Sequence, residues 1–501
     1  MLRTPGVTAR SPRPRRRHRP RRPLTAALAL ALLGPLAPLA GSGPPAEAQA
    51  AAPPSEHVVL IGFDGFDPDY LGRVPTPNID VLRNRGASGV TEAIMLPITN
   101  PSFTALTTGA LPPRNGNRAY WWDRAANAYR GQSRATNATS IAEAVVDAGG
   151  TVGSAQYFIL QGNGTDYGRP GAVYTQPGGP CSRKFDDAIA MLQRRPVDSN
   201  GVRVPVEAIP DLLAVYCDDL DAIGHDQGAD TPNIGRALRE LDAQVGRLVA
   251  AIEEAGITDT TTIVLTGDHG MSTYTRSFFL PLHSALEAAG YKPAMLWENG
   301  QSVAADRDVV LISAGRSMTV YLAGARTGDA AALAEIRSIA AAIPGTGRIL
   351  DRAAQAALDI HPDYGDLIIE SEPGWGASIL PPNGPQGDHG SAAERDAVFV
   401  IAGANIARTT GSVRVRHIDV APTIAELLGL APLPDADGTA QARLFGEPPP
   451  RDTWVPTTLP ASSTTTAPAT TSMAGGGGSV PGGVAPATPA RPRRAAPSYT
   501  G

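Results

Sequence analysis

Short, unbroken apolar runs are the feature that most limits how this chain can fold. Val58-Val-Leu-Ile-Gly-Phe63, Leu212-Leu-Ala-Val-Tyr216, Thr261-Thr-Ile-Val-Leu265 and Val398-Phe-Val-Ile-Ala402 show no alternation of polar and apolar residues. A strand that is apolar on both sides needs cover on both faces, the condition met in an open α/β sheet. Segments of helical period lie between the runs. Pro232 to Ala255 sets Ile234, Leu238, Leu241, Val245, Leu248 and Ile252 on one stripe. Ser140-Ile-Ala-Glu143 reads as a capping box whose helix closes at Gly149-Gly150. The expected architecture is α/β, a mainly parallel central sheet with helices on both faces. Residues from about 272 to 387 carry runs of their own, Asp308-Val-Val-Leu-Ile-Ser313 and Met318-Thr-Val-Tyr-Leu322, and read as an inserted smaller lobe.

Composition separates the two ends from this body. Residues 1–50 read as an export signal: an Arg-rich start runs into Leu24-Thr-Ala-Ala-Leu-Ala-Leu-Ala-Leu-Leu and then small residues around Ala46-Glu-Ala48-Gln-Ala50. Arg21-Arg22 weakly resembles a twin-arginine signal, so the expected destination is outside the cell or in the periplasm or cell envelope. Residues 51–56 form a linker and 57–449 the catalytic body. Residues 450–501, rich in Pro, Thr, Ser and Gly, read as a disordered spacer or a tether to the envelope. Pro35 and Pro38 interrupt the one long apolar run, so no stable membrane span is expected in the mature form. The net charge of −5 includes the basic leader; without it the body is acidic and duplex nucleic acid is excluded as a partner. Cys181 and Cys217 admit one disulfide or two packed thiols, and without CxxC spacing they do not suggest zinc.

Ligands in open α/β sheets gather at the carboxyl ends of strands, where this chain places metal-binding side chains. Asp64-Gly65 follows the first run, Asp221-Ala-Ile-Gly-His225 the second and Gly267-Asp268-His269-Gly270 the third, while Gly387-Asp388-His389-Gly390 precedes the fourth. Any one of these groups is unremarkable as a turn or surface loop; four of them bordering strands of one domain point to a metal centre. Carboxylate and imidazole without thiolate suit zinc, manganese, iron or magnesium, and the histidine share favours the transition metals, zinc first. Thr99-Asn-Pro101 precedes a helical stretch ending at Gly109, with Asn100 as the expected cap. A hydroxyl at a helix start lies where N–H groups favour an anion, and metal coordination would activate it as a nucleophile.

These residues resemble the nucleotide pyrophosphatase/phosphodiesterase branch of the alkaline phosphatase superfamily. The match runs in order through Gly62-Phe-Asp64-Gly65, Thr76-Pro-Asn78, Thr99-Asn-Pro101, Thr108-Gly109, Asp221-Ala-Ile-Gly-His225, Gly267-Asp-His-Gly-Met271, His389-Gly390 and Asp419-Val-Ala-Pro-Thr423. The resemblance implies an alkaline-phosphatase-like fold and two divalent metal ions, one held by Asp221, His225 and His389, the other by Asp64, Thr99, Asp268 and His269. It also implies hydrolysis of phosphodiester or pyrophosphate bonds in small, nucleotide-type phosphate esters through a phospho-threonine at Thr99. The chain departs from the branch where substrate is read: Ser102 and Phe103 replace the usual Asn and His, and Asn115 and Tyr120 stand near the phosphate-binding Asn. Ser102, Asn115, Tyr120 and Tyr174 are therefore the expected substrate contacts, with Arg118, Tyr157, Phe158, Trp121 and Trp122 nearby. No Cys-x-Pro-x-Arg sulfatase motif follows Cys181, and Gln156-Tyr-Phe-Ile-Leu-Gln161 lacks the Lys-x-Arg pair of many monoesterases. The alternatives are a phosphomonoesterase or phosphonate hydrolase on the same metals, and an exported phosphate-ligand binding protein without turnover.

Overall fold

The computed structural model describes residues 55–448. The export signal expected over 1–50 and the tail over 450–501 lie outside the described residues. Six strands open the main sheet: β1 (His57–Phe63), β2 (Ala87–Glu92), β3 (Val152–Ala155), β4 (Ala172–Thr175), β5 (Leu212–Cys217) and β6 (Thr261–Thr266). A second sheet takes β7 (Pro293–Leu296), β8 (Val309–Ala314), β9 (Ser317–Leu322), β10 (Thr346–Leu350) and β11 (Leu367–Ser371). The chain then returns through β12 (Asp396–Gly403) and β13 (Ser412–Arg416).

The main sheet is eight-stranded in the order β13-β2-β12-β6-β1-β5-β3-β4. All its neighbours are parallel except at β12, which runs antiparallel to both β6 and β2. The unbroken apolar runs are its centre, with β5 and β6 buried at every position. Alternate residues of β1 serve two cores. Val59, Ile61 and Phe63 pack towards α1 (Pro77–Arg85), α4 (Cys181–Leu192) and α6 (Pro232–Glu254), whose predicted stripe from Ile234 to Ile252 is wholly buried there. Val58 and Leu60 face α2 (Thr99–Thr108), α3 (Ile141–Asp147) and α9 (His417–Leu427). The Ser140 capping box forms, with Glu143 N donating to Ser140 Oγ at 3.0 Å and Ser140 N to Glu143 Oε2 at 2.8 Å. Helix α5 (Asp219–Gln227) follows β5, and a disulfide with a Cα separation of 5.5 Å joins Cys181 of α4 to Cys217 at the end of that strand.

The second sheet has the order β7-β8-β9-β11-β10, with α7 (Phe279–Ala288) and α8 (Ala330–Ala341) packed on one face through Phe279, Leu282, Leu286 and Ile336. Its other face covers the segment that leads into α2, where Ile368 and Ala314 meet Met95, Leu96 and Ile98. Trp122 belongs to this packing, edge-on to Tyr321 at 5.8 Å. Trp121 lies under the Arg118 guanidinium at 3.9 Å. The turn between β8 and β9 reaches the main domain: Arg316 N donates to His389 O at 2.7 Å and Ser317 Oγ to Gly390 O at 2.7 Å. Gly315 makes that approach feasible, since its φ is +67° and an added Cβ would lie 2.0 Å from His389 O. Behind the turn, the buried Arg316 guanidinium pairs with the buried Glu394 and donates to Glu372 O at 2.8 Å. Among the described residues no helix is long and apolar enough to cross a membrane.

One buried carboxylate ties α6 to the start of α1. Asp242, 1% exposed, accepts from Asn78 N at 3.1 Å, Asn78 Nδ2 at 2.8 Å and Ile79 N at 2.8 Å, capping a helix whose own Thr76 offers no side-chain cap. Asp242→Ala leaves three donors without a partner and is expected to lower stability by about 2–4 kcal/mol. A lower urea midpoint with unchanged metal content is the expected result.

Candidate metal centre

Strand direction brings the polar groups together. Asp64 follows β1, Asp221 and His225 lie on α5 directly after β5, and Asp268 and His269 follow β6, all on the carboxyl rim of parallel strands. Because β12 runs the other way, its entrance lies on that same rim, and His389 arrives from just upstream of it. The side chains form two groups, each with its ligand-type atoms within 4.8 Å of one another: Asp221, His225 and His389, and Asp64, Asp268 and His269. Spacing of i,i+4 sets Asp221 and His225 on one face of α5, with Oδ1 and Nε2 3.3 Å apart. The groups share a wall, since the His269 and His389 rings stack at 3.5 Å with 14° between their planes.

The donor set fits divalent cations. Each imidazole turns Nδ1 to a backbone carbonyl: His225 to Gly387 O at 2.9 Å, His389 to Pro97 O at 2.7 Å and His269 to Gly270 O at 3.0 Å. A carbonyl can only accept, so Nδ1 carries the proton and Nε2 is left facing the carboxylates. Asp64 Oδ1, Asp221 Oδ1 and Asp268 Oδ2 are buried and have no hydrogen-bond donor. Burial first, then mutual repulsion with Asp221, pushes Asp64 and Asp268 well above the usual carboxylate range. Burial also lowers His269 to about 3 and holds His389 far below an ordinary imidazole. His225 is the exception: burial opposes its charge, but Asp221 and then Asp388 override this and raise it to about 10. Remaining acceptor capacity is spent on positioning, as Tyr216 donates to Asp64 Oδ2 at 2.5 Å and Gly65 N to Asp268 Oδ1 at 3.0 Å.

Thr99 is the first residue of α2, and its Oγ1 lies 3.4 Å from His269 Nε2. Asn100 is not the cap that its position suggests. The helix starts two residues earlier, with Ile98 at the cap, and Asn100 Nδ2 donates instead to Ser133 O at 2.8 Å. The other end follows the pattern read from sequence, with Gly109 at φ 71°. Beside Thr99 a small cleft of about 80 Å³ is lined by Arg134, Gln156, Phe158, Tyr174, Gln176, Tyr216 and Asp218.

The four expected substrate contacts separate in space. Tyr174 lines the cleft with Thr99. Ser102 is fully buried in α2, a helix buried along its whole length. Asn115 is also fully buried, its Nδ2 donating to Ala110 O at 2.7 Å and its Oδ1 accepting from Asn117 N at 2.8 Å, so it braces a loop. Tyr120 bonds through its hydroxyl to Gln132 Nε2 at 2.9 Å, and Gln132 Oε1 accepts from Asn100 N at 3.0 Å, which makes Tyr120 a support for the start of α2. Arg118 is paired with Asp363 at 2.7 Å, and Tyr157 is buried against Phe103. Reading from sequence passed over Tyr216, Arg134, Gln156, Gln176 and Asp218. Tyr216 alone left a signal, a phenol at the carboxyl end of a central apolar strand.

Fold and site together define a chain of the alkaline-phosphatase-like class. A family model described as type I phosphodiesterase / nucleotide pyrophosphatase matches residues 58–392, and the chain belongs to that family. Human ectonucleotide pyrophosphatase/phosphodiesterase family member 5 is 26% identical over 252 residues, 48% of this chain and 50% of that protein. The Xenopus laevis bis(5'-adenosyl)-triphosphatase enpp4 is 27% identical over 256 residues, 47% of this chain and 51% of its own length. The chain thus spans about half the length of the curated relatives it matches. Murine ectonucleotide pyrophosphatase/phosphodiesterase 5, solved as an inactive variant in complex with AMP, superposes with a TM-score of 0.61 at 17% identity. That superposition covers 78% of this chain and all of the murine one, and it speaks for the fold.

Ion binding should displace protons. With His225 raised by Asp221 and Asp388, and Asp64 and Asp268 raised by burial, any proton on Nε2 of His225 or on either carboxylate must leave before these atoms can act as ligands. Zinc affinity is therefore expected to fall as pH is lowered from about 8 to about 6, with proton release on binding. Calorimetry in two buffers of different ionisation enthalpy measures both; binding heats independent of buffer would contradict the assignment.

Proposed function

We propose that this chain is an exported phosphoesterase that cleaves phosphodiester or pyrophosphate bonds in small, nucleotide-type substrates. The observation that carries the reading is the pair of Asp/His groups meeting at the stacked His269 and His389 rings, with the Thr99 hydroxyl 3.4 Å from one of them. Membership of the type I phosphodiesterase / nucleotide pyrophosphatase family and the names of the relatives support the same chemistry. Asp221, His225 and His389 would hold one divalent ion, and Asp64, Asp268 and His269, with Thr99, the other; zinc suits a set this rich in imidazole. Bound there, the two ions supply positive charge beside the oxygens around phosphorus.

The remaining chemistry belongs to the side chains. Thr99 displaces the leaving alcohol or phosphate and becomes phospho-threonine; water then displaces Thr99, releasing the product acid and restoring the hydroxyl. Oriented N–H groups at the start of α2 favour the anionic phosphoryl group. Gln132, held by Tyr120, fixes Asn100 N and with it the first turn. Tyr174 and Phe158 line the cleft that would receive the esterified group. Export rests on the Arg-rich, then apolar, leader.

Zinc-loaded protein assayed with bis-p-nitrophenyl phosphate and p-nitrophenyl phosphate tests the proposal. The expected results are preference for the diester, about two ions per chain and a loss of about 1,000-fold or more in kcat for Thr99→Ala with its metal retained. Turnover that survives Thr99→Ala would sink it. So would monoester preference, or an ion content well below two.

A further inference from the structure

The side chain that meets the substrate's phosphate has to be found among residues that sequence offsets did not suggest. Asn115 is spent on its own loop and Tyr120 on Gln132. Arg134 is the one basic side chain among the described residues lining the cleft beside Thr99. The acidic group in that lining, Asp218, is already paired with the buried Lys184 at 2.5 Å.

The loop that bears Arg134 is anchored on both sides. Towards the nucleophile helix, Gln132 Oε1 accepts from Asn100 N at 3.0 Å and Ser133 O from Asn100 Nδ2 at 2.8 Å, both one residue from Thr99. On the opposite side, Asn163 Nδ2 donates to Arg134 O at 2.9 Å and to Ile159 O at 2.8 Å, and the Gln161 amide oxygen holds the guanidinium itself. Burial raises the Tyr174 hydroxyl and the Arg134 charge opposes this, as expected of a cation close to that ring. A half-buried guanidinium fixed across a small cleft from a nucleophile can present parallel N–H donors to phosphate oxygens.

From this geometry we infer that Arg134 is a specificity-determining residue that binds the anionic oxygens of a substrate phosphate. The inference rests on the cleft beside Thr99 being the substrate's. The group recognised is either the phosphate that faces Thr99 or a second phosphate on the part of the substrate lying in the cleft. In the second case, substrates carrying that extra charge would be selected over diesters flanked by neutral groups.

Binding decides the matter without turnover. Zinc-loaded Thr99→Ala protein, with and without Arg134→Gln, is titrated with inorganic phosphate, AMP, adenosine 3',5'-bisphosphate and adenosine. Arg134→Gln is expected to weaken phosphate and AMP by about 10- to 100-fold, to leave adenosine within about 2-fold, and Arg134→Lys to fall between. Loss confined to the bisphosphate places the contact on the second phosphate. The proposal is overturned by unchanged binding of all three anions, by equal loss for adenosine and AMP, or by failure of every anion to bind before Arg134 is altered. Unchanged metal content and circular dichroism separate these results from misfolding. A chain that binds phosphate through Arg134 but hydrolyses nothing would overturn the hydrolase reading and leave this one standing.

Discussion

Three carboxylates converge where, among the described residues, no lysine or arginine pairs with them, and most of the described architecture serves to keep them there. The charges acting most strongly on Asp64 are those of Asp268 and Asp221, and the one acting most strongly on Asp268 is that of Asp221. Burying like charges costs several kcal/mol per ion unless a counter-charge joins them. Three central strands, β1, β5 and β6, end at this point and deliver one carboxylate each. Their near-complete burial fixes where those carboxylates stand. Imidazoles oriented by backbone carbonyls complete the cradle.

Much of this was legible in the sequence because strand and ligand are adjacent in it. An apolar run ending in Asp64-Gly65 or Asp268-His269 declares both the strand and the rim on which its side chains sit. His389 was visible as a motif, but its arrival on the same rim depends on β12 running backwards, and an apolar run does not encode direction. The surroundings of Ser102 and Asn115 were hidden for a related reason: an offset counted along the chain says nothing about which way a side chain turns. Ser102 is buried within α2, and Asn115 turns back to its own backbone at Ala110. Arg134 sits in an irregular loop without periodic pattern, and its place beside Thr99 follows from hydrogen bonds that close only in the folded chain.

Around Thr99, one short stretch of chain has three roles. Residues 99–108 are the helix that Thr99 opens, residues 115–120 brace it, and residues 132–134 fasten its first turn before lining the cleft. Asn100 joins these functions by giving its backbone N–H to Gln132 and its side-chain amide to Ser133. A substitution in this loop would therefore be felt at Thr99 and at the cleft wall together.

The second sheet lies within the chain between His269 and His389, so the two stacked rings are separated by the whole of β7–β11. Closing so long an excursion costs little more than closing a short one, because the entropy grows only with the logarithm of length. Its grip on the rim runs through the Gly315–Ser317 turn, the Arg316–Glu394 pair and Glu370, which accepts from Ala392 N at 2.9 Å, while its inner face packs on the segment leading into α2. Descendants of such a chain are thus free to enlarge, trim or resurface the outer helices α7 and α8. Diversification of the lobe's outer layer and constancy of the ligand set become separate evolutionary variables, joined through the lobe's inner face.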